Sequence, residues 1–199
     1  IKIDFFDGDG AAEMDYYIDL LEDAAKHRLM LNFHGSTIPR GWQRTYPHLM
    51  SMESVYGAEW YNNTPRLTDR AAEHNATLPF TRNVIGSMDY TPGTFSDSQH
   101  PHITSYGHEL ALVVLFESAW QHMPTRPSAY RSLPEPVREL LSALPSAWDD
   151  AKLPAGYPGK EAVIPRRKGS DWYIAGTNRT NETRHEEFTL ERHDTTART

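Results

Sequence analysis

A chain of 199 residues, 38% of them hydrophobic, carries enough apolar material for one sizeable domain, or one and a fraction, and is globular rather than disordered. A net charge of -7, an aromatic share of 11% and a basic run no longer than Arg166, Arg167 and Lys168 exclude a nucleic-acid surface that neutralises many phosphates. They suit a neutral polyhydroxylated ligand or a metal site. The absence of cysteine removes disulfide and thiolate chemistry, and no run of about 18 apolar residues is available to span a bilayer.

Residues 1–5 alternate, with Ile1, Ile3 and Phe5 on one face and Lys2 and Asp4 on the other, which predicts a strand. The chain opens on this segment without Met, so a truncated N-terminus is expected. The period then changes: Met14, Tyr17, Ile18, Leu21, Ala24 and Ala25 recur at helical spacing, and Asp7, Asp9 or Gly10 is placed to cap the start. Strands are predicted over 29–33, 50–55 and 84–88, short helices over 41–46 and 71–80, and a long helix over 103–118. Strands separated by helices argue for parallel βα units, hence a doubly wound sheet or a barrel.

Residues 134–144 read as one more helix. The texture then changes, and the runs 162–167 and 172–177, joined by Lys168-Gly169-Ser170-Asp171, predict a hairpin. The expected organisation is an α/β unit over 1–146 and a small all-β domain over 147–199, with disorder in the last residues of its polar tail.

The alternation sets Asp4 near the C-terminal end of its strand, the end at which barrel active sites lie. An inward salt bridge with Lys2 is the structural reading. The cost of desolvating such a pair makes it equally a sign of a functional site. Glu53 lies on a later strand and Glu59 six residues beyond, where Gly57 suggests a turn that presents Glu59 beside Tyr56, Trp60 and Tyr61. Aromatic faces next to acids are what sugar rings require, though Tyr56 by itself reads as core. Glycoside hydrolysis needs two carboxyl groups flanking the scissile bond, and spacing in sequence does not choose between retention and inversion. His34 and Asp89, each at a predicted strand end, are candidates for contact with a sugar hydroxyl, or equally for structural support.

Five ordered segments carry a closer likeness: Lys2-Ile3-Asp4-Phe5-Phe6-Asp7, Asn32-Phe33-His34-Gly35-Ser36-Thr37, Arg44-Thr45-Tyr46-Pro47, Tyr56-Gly57-Ala58-Glu59-Trp60 and Met88-Asp89-Tyr90-Thr91-Pro92-Gly93. Together they resemble glycoside hydrolase family 97, bacterial calcium-dependent α-glucosidases and α-galactosidases. The resemblance implies a (β/α)8 TIM barrel entered at its fourth strand and followed by a small β domain, with a β-sandwich domain and the first barrel strands preceding this chain.

By the same resemblance Asp4 matches the nucleophile of the retaining branch and Glu59 the general acid/base. Glu53 and Glu59 match ligands of Ca2+, and His34, Trp60 and Asp89 are expected at the substrate. The inverting branch carries a glutamate base where this chain has Gly35, which favours retention. The activity implied is a retaining α-galactosidase acting on α-linked galactosides or oligosaccharides, the alternatives being an α-glucosidase or an inactive calcium-dependent carbohydrate-binding remnant. The resemblance also implies a periplasmic or secreted location. Because half a barrel leaves strand edges and apolar surface uncovered, residues 1–199 by themselves are expected to be inactive.

Overall fold

A computed structural model of the protein describes residues 1–97, 101–180 and 182–190. β1 (Lys2–Ile3), α1 (Ala11–Lys26), β2 (Leu31–Phe33) and β3 (Leu49–Met52) open the chain, and the three strands form a parallel sheet in the order β1-β2-β3. Met52 bridges Met88 in the same parallel sense, and the Met88 N–H donates to Glu117 O at 2.9 Å. Each neighbour therefore lies later in the chain than the last. A doubly wound sheet reverses its strand order, and none of the described strands does.

α1 lays Tyr17, Leu21 and Ala24, spaced four and three residues apart, against Leu31, Phe33, Leu49 and Met52 of the sheet. Tyr17 stacks on Phe6 with ring centroids 4.1 Å apart and meets Phe33 edge-on at 5.2 Å. Full burial of each such large apolar side chain contributes about 1.5 to 3 kcal/mol. Leu49 and Met52 stand three residues apart yet share this core, which strict alternation of period two forbids. The pairing explains it: Leu31 lies opposite Leu49 but Asn32 lies opposite Ser51, so Met50 is an extra residue at a bulge. Asn32 and Ser51 consequently share the other, polar face, and both are buried there.

α2 (Ala58–Asn63), α3 (Pro65–Thr68) and α4 (Ala71–Thr77) follow, then α5 (Tyr106–Leu115), α6 (Pro127–Ser132) and α7 (Glu135–Ala143). The C-terminal sheet holds β4 (Asp150–Ala151), β5 (Ala155–Tyr157), β6 (Glu161–Lys168) and β7 (Asp171–Asn178), all antiparallel. The β6–β7 hairpin closes through Gly169 and Ser170, with Gly169 at φ +59° as a tight two-residue turn requires. Its Ala162, Ile164 and Ala175 share one core with Leu112, Val113, Leu115 and Phe116 from and just after α5. The buried Arg166 of β6 donates to Val114 O at 2.7 Å and Leu115 O at 2.9 Å, satisfying the carbonyls that the end of α5 leaves open.

Several expected elements are corrected. β1 stops at Ile3 because Phe5 adopts φ +67°, which turns its ring out to 90% exposure rather than onto the face of Ile3. Neither Asp7 nor Asp9 caps α1: Gly10 is the N-cap without a side-chain bond, Asp9 pairs with Arg40, and Glu13 of the first turn reaches back to the Asp7 N–H. Residues 84–88 form no strand beyond the Met88 bridge. Arg82 binds the carbonyls of Met52, Gly86 and Ser87, a 3-10 turn covers Arg82–Val84, and Gly86 sits at φ +152°.

The helix expected over 103–118 is shortened at both ends. The Ser105 hydroxyl accepts from His108 N–H and starts it at Tyr106, and Phe116 is already extended at ψ 114°. The disorder expected of the last residues concerns 191–199, which lie outside the described residues.

Candidate active site

Parallel register places four chemically active side chains on one line. Ile3, Phe33, Met52 and Met88 are paired in succession, and the next residues are Asp4, His34, Glu53 and Asp89. The rungs that hold them are backbone bonds from His34 N–H to Ile3 O at 2.8 Å, Glu53 N–H to Phe33 O at 2.7 Å and Asp89 N–H to Met52 O at 3.1 Å. Strand alternation puts Lys2, Asn32 and Ser51 on the same face, two residues earlier.

Glu59 joins this line from α2. Gly57 precedes the helix with no room for a side chain, since a Cβ there would stand 2.5 Å from Tyr90 O, and Ala58 N–H donates to the same carbonyl at 2.9 Å. That close approach fixes the first turn of α2 beside the 88–90 segment. Lys2 Nζ then lies 3.2 Å from Glu59 Oε1 and 3.9 Å from Asp4 Oδ2. Those two oxygens can be no farther apart than the two distances laid end to end, about 7 Å. Both carboxyl groups keep access to solvent.

Behind them lies a buried chain of polar contacts. His34 and Asp89 are both 0% exposed, and His34 Nε2–H donates to Asp89 Oδ2 at 2.7 Å. Asn32 donates to the same oxygen at 2.7 Å and His122 Nδ1–H at 2.5 Å, while His122 N–H donates to Asp89 Oδ1 at 3.2 Å. Burial pushes the Asp89 carboxyl up, but the bonds from His34 and His122 outweigh it and bring it down to about 2. On the other side of the ring, His34 Nδ1 stands 3.6 Å from Glu53 Oε2 without a hydrogen bond of its own. Glu53 is held above the ordinary carboxylate range by burial first, partly offset by the Gly35 N–H at 2.6 Å and by His34, with Glu59 and Asp4 adding to the rise.

Among the described residues, two groups of side chains bring ligand atoms within 4.8 Å of one another: His34, Glu53 and Glu59, and His34, Asp89 and His122. They differ as cation sites. Asp89 already accepts four hydrogen bonds from nitrogen donors, three at Oδ2 and one at Oδ1. In the first group, by contrast, an unbonded ring nitrogen and a carboxyl group that burial disfavours as an anion face one another. The oxygen donors there, Glu53 and Glu59, fit a hard cation such as Ca2+, whose six to eight oxygens must be completed by water, substrate or other parts of the protein.

The structure thus brings together Asp4, Glu59, Glu53, His34 and Asp89. Direct sugar contact expected of His34 and Asp89 needs an access that neither side chain has here. Trp60 stands apart, with Tyr56 edge-on at 5.4 Å, in the wall of a groove of about 530 Å³ also lined by Arg66, Arg70 and His74. Glu73 is the carboxylate in that wall, and Asp4, Glu53, Glu59 and Asp89 are not among its lining residues. Sequence reasoning missed the bond from Lys2 to Glu59 and the role of His122 at Asp89. The helix expected to reach residue 118 concealed the extended segment from Phe116 that continues the line of strands through the bond from Met88 N–H to Glu117 O.

Residues 1–55 match the family model described as Glycoside hydrolase 97, and residues 147–197 the model described as Glycosyl-hydrolase 97 C-terminal, oligomerisation. The chain is 48% identical over 177 residues to a probable retaining alpha-galactosidase of Streptomyces bingchenggensis, covering 89% of this chain and 27% of that protein. It is 32% identical over 185 residues to the retaining alpha-galactosidase of Bacteroides thetaiotaomicron, covering 88% and 28%. A crystal structure of a beta-arabinopyranosidase superposes with a TM-score of 0.84 at 34% identity, covering 89% of this chain and 29% of that one. The chain spans little more than a quarter of the length of these relatives.

Proposed function

The chain belongs to glycoside hydrolase family 97, and on that premise we propose that the complete protein is a retaining α-galactosidase. The observation that carries the mechanism is the single ammonium of Lys2 between Asp4 and Glu59. The limit of about 7 Å that it sets on those two oxygens is compatible with the carboxyl separation of about 5 to 5.5 Å used in retention. Gly35, with no carboxyl group to act as base, supports the same branch.

Asp4 Oδ2 attacks the anomeric carbon as the glycosidic bond breaks, and Glu59 gives its proton to the leaving oxygen. Glu59 then takes a proton from water, whose oxygen displaces Asp4 and restores the original anomeric configuration. Glu53 and Glu59 would hold Ca2+, which when bound supplies positive charge beside developing negative charge. The one-directional parallel order supports the C-terminal part of a (β/α)8 barrel, and the short share of each relative covered supports further barrel strands and another domain in the complete protein. Residues 1–199 alone are expected to turn over no glycoside. A periplasmic or secreted location is proposed on the family resemblance alone.

The test is proton NMR of an aryl α-galactoside treated with the complete protein: α-galactose should appear first. Asp4→Gly should abolish turnover, with partial rescue by azide giving the β-galactosyl azide. Unchanged turnover by that variant, or first release of the β anomer, would overturn the assignment. One observation favours a second reading, the likeness to a beta-arabinopyranosidase. A β-L-arabinopyranoside has the ring stereochemistry of an α-D-galactopyranoside and lacks only its hydroxymethyl group. The ratio of kcat/KM for the two aryl glycosides decides between them.

A further inference from the structure

We propose that His122 is a specificity-determining residue that binds a hydroxyl group of the sugar through Nε2, an inference that rests on the site proposed above. Asp89, held near 2 and therefore ionised, can only accept. The contact at 2.5 Å accordingly requires a proton on His122 Nδ1, and in the neutral ring this leaves the lone pair on Nε2. Among the described residues Nε2 makes no hydrogen bond, and the side chain is 34% exposed.

The ring is also fixed in orientation. It stacks on Trp120 with centroids 5.6 Å apart and 28° between planes, and its own backbone N–H clamps the second oxygen of Asp89 at 3.2 Å. Asp89 spends Oδ2 on both His34 and His122, whose rings are 6.0 Å apart. One wholly buried carboxylate thus positions a histidine turned toward Glu53 and Glu59 and another that reaches the surface. A fixed acceptor with an open edge, joined by one buried acid to the carboxylate cluster, is suited to an O–H donor of the sugar ring.

The two ring nitrogens can be tested separately. His122→Asn in the complete protein keeps an N–H where Nδ1 stood, so the bond to Asp89 survives, but it has no atom in the place of Nε2. We expect kcat/KM for aryl α-galactoside and the affinity for galactose by calorimetry to fall about tenfold, the value of one lost hydrogen bond, with the thermal midpoint unchanged. Unchanged kcat/KM and galactose affinity would overturn the proposal. Should the midpoint fall as well, monodeoxy α-galactosides decide. The gap between wild type and His122→Asn closes for the sugar lacking the bonded hydroxyl if the proposal holds, and an equal gap for every deoxy sugar overturns it. Absence of turnover in the wild type would sink the proposed activity, whereas the calorimetric comparison with galactose would still decide the role of His122.

Discussion

A Cβ atom on Gly35 would lie 2.9 Å from Asp4 Oδ1 and 2.9 Å from the Phe5 nitrogen that donates to that same oxygen. Gly35 also adopts φ +51°, a left-handed conformation that side chains disfavour. An aspartate carboxyl in this pose and a side chain at position 35 therefore compete for one volume. Gly35→Ala should lower kcat at least about tenfold by displacing Asp4, and should cost about 1 to 2 kcal/mol of stability from the backbone strain. Kinetics and urea unfolding of the complete protein check both. Wild-type kcat in a variant that is only destabilised would show that Asp4 does not depend on the space.

Asp89 gives a signature in pH. Its carboxyl is brought from 3.8 to about 2 in the folded protein, so the stability it contributes is complete above about pH 4 and is lost as the pH falls toward 2. The shift corresponds to about 2 kcal/mol. The stability difference between wild type and Asp89→Asn should accordingly shrink by that amount between pH 5 and pH 2 in urea titrations. A constant difference would contradict the charge-based account.

Glu53 behaves in the opposite sense. Its carboxyl is raised, so its contribution is favourable at low pH and is lost as the pH rises through the folded value. At pH 7 Glu53→Gln should therefore raise the thermal midpoint of the calcium-free protein, since the amide oxygen still accepts from Gly35. Calcium at a hundred times its Kd should stabilise the wild type by about 2.7 kcal/mol and the variant far less. Equal calcium response in both would remove Glu53 from the ligand set.

Arg166 ties the C-terminal sheet to the end of α5 through two carbonyls buried beneath it. Arg166→Met retains bulk but strands both acceptors, at a cost of about 3 kcal/mol. Urea unfolding should show the loss, and a change below about 0.5 kcal/mol would mean that other donors replace it.

The elements legible in the sequence were those whose own pattern decides them. α1 shows its apolar stripe, and the hairpin around Gly169 shows its turn. The strand ends near Asp4 and His34 were legible as places, because apolar runs stop there, whereas Glu53, which reads as lying on its strand, stands just past its end. What escaped reading was settled by partners distant in the chain. Arg82 takes the carbonyls of 86 and 87 and leaves a turn where a strand was expected, and Ser105 and Phe116 trim α5. Lys2 read equally well as the partner of Asp4 alone; only the placing of α2 against Tyr90 O lets it reach Glu59. His122 carries no periodic signal at all, and its meaning arises from Asp89, 33 residues earlier.

Met50 takes no part in any of these contacts, yet the site depends on the ladder skipping it. Had β2 and β3 paired without interruption from Leu31 and Leu49, Met52 would stand where Glu53 now does, beside His34, and a thioether would occupy the place of a carboxylate. The composition of the site is thus governed by a count of residues as much as by their identities. Inserting one further residue between Leu49 and Ser51 without a wider bulge would move every later residue of β3 by one position, whereas deleting Met50 would close the bulge and leave Asn32 opposite Ser51.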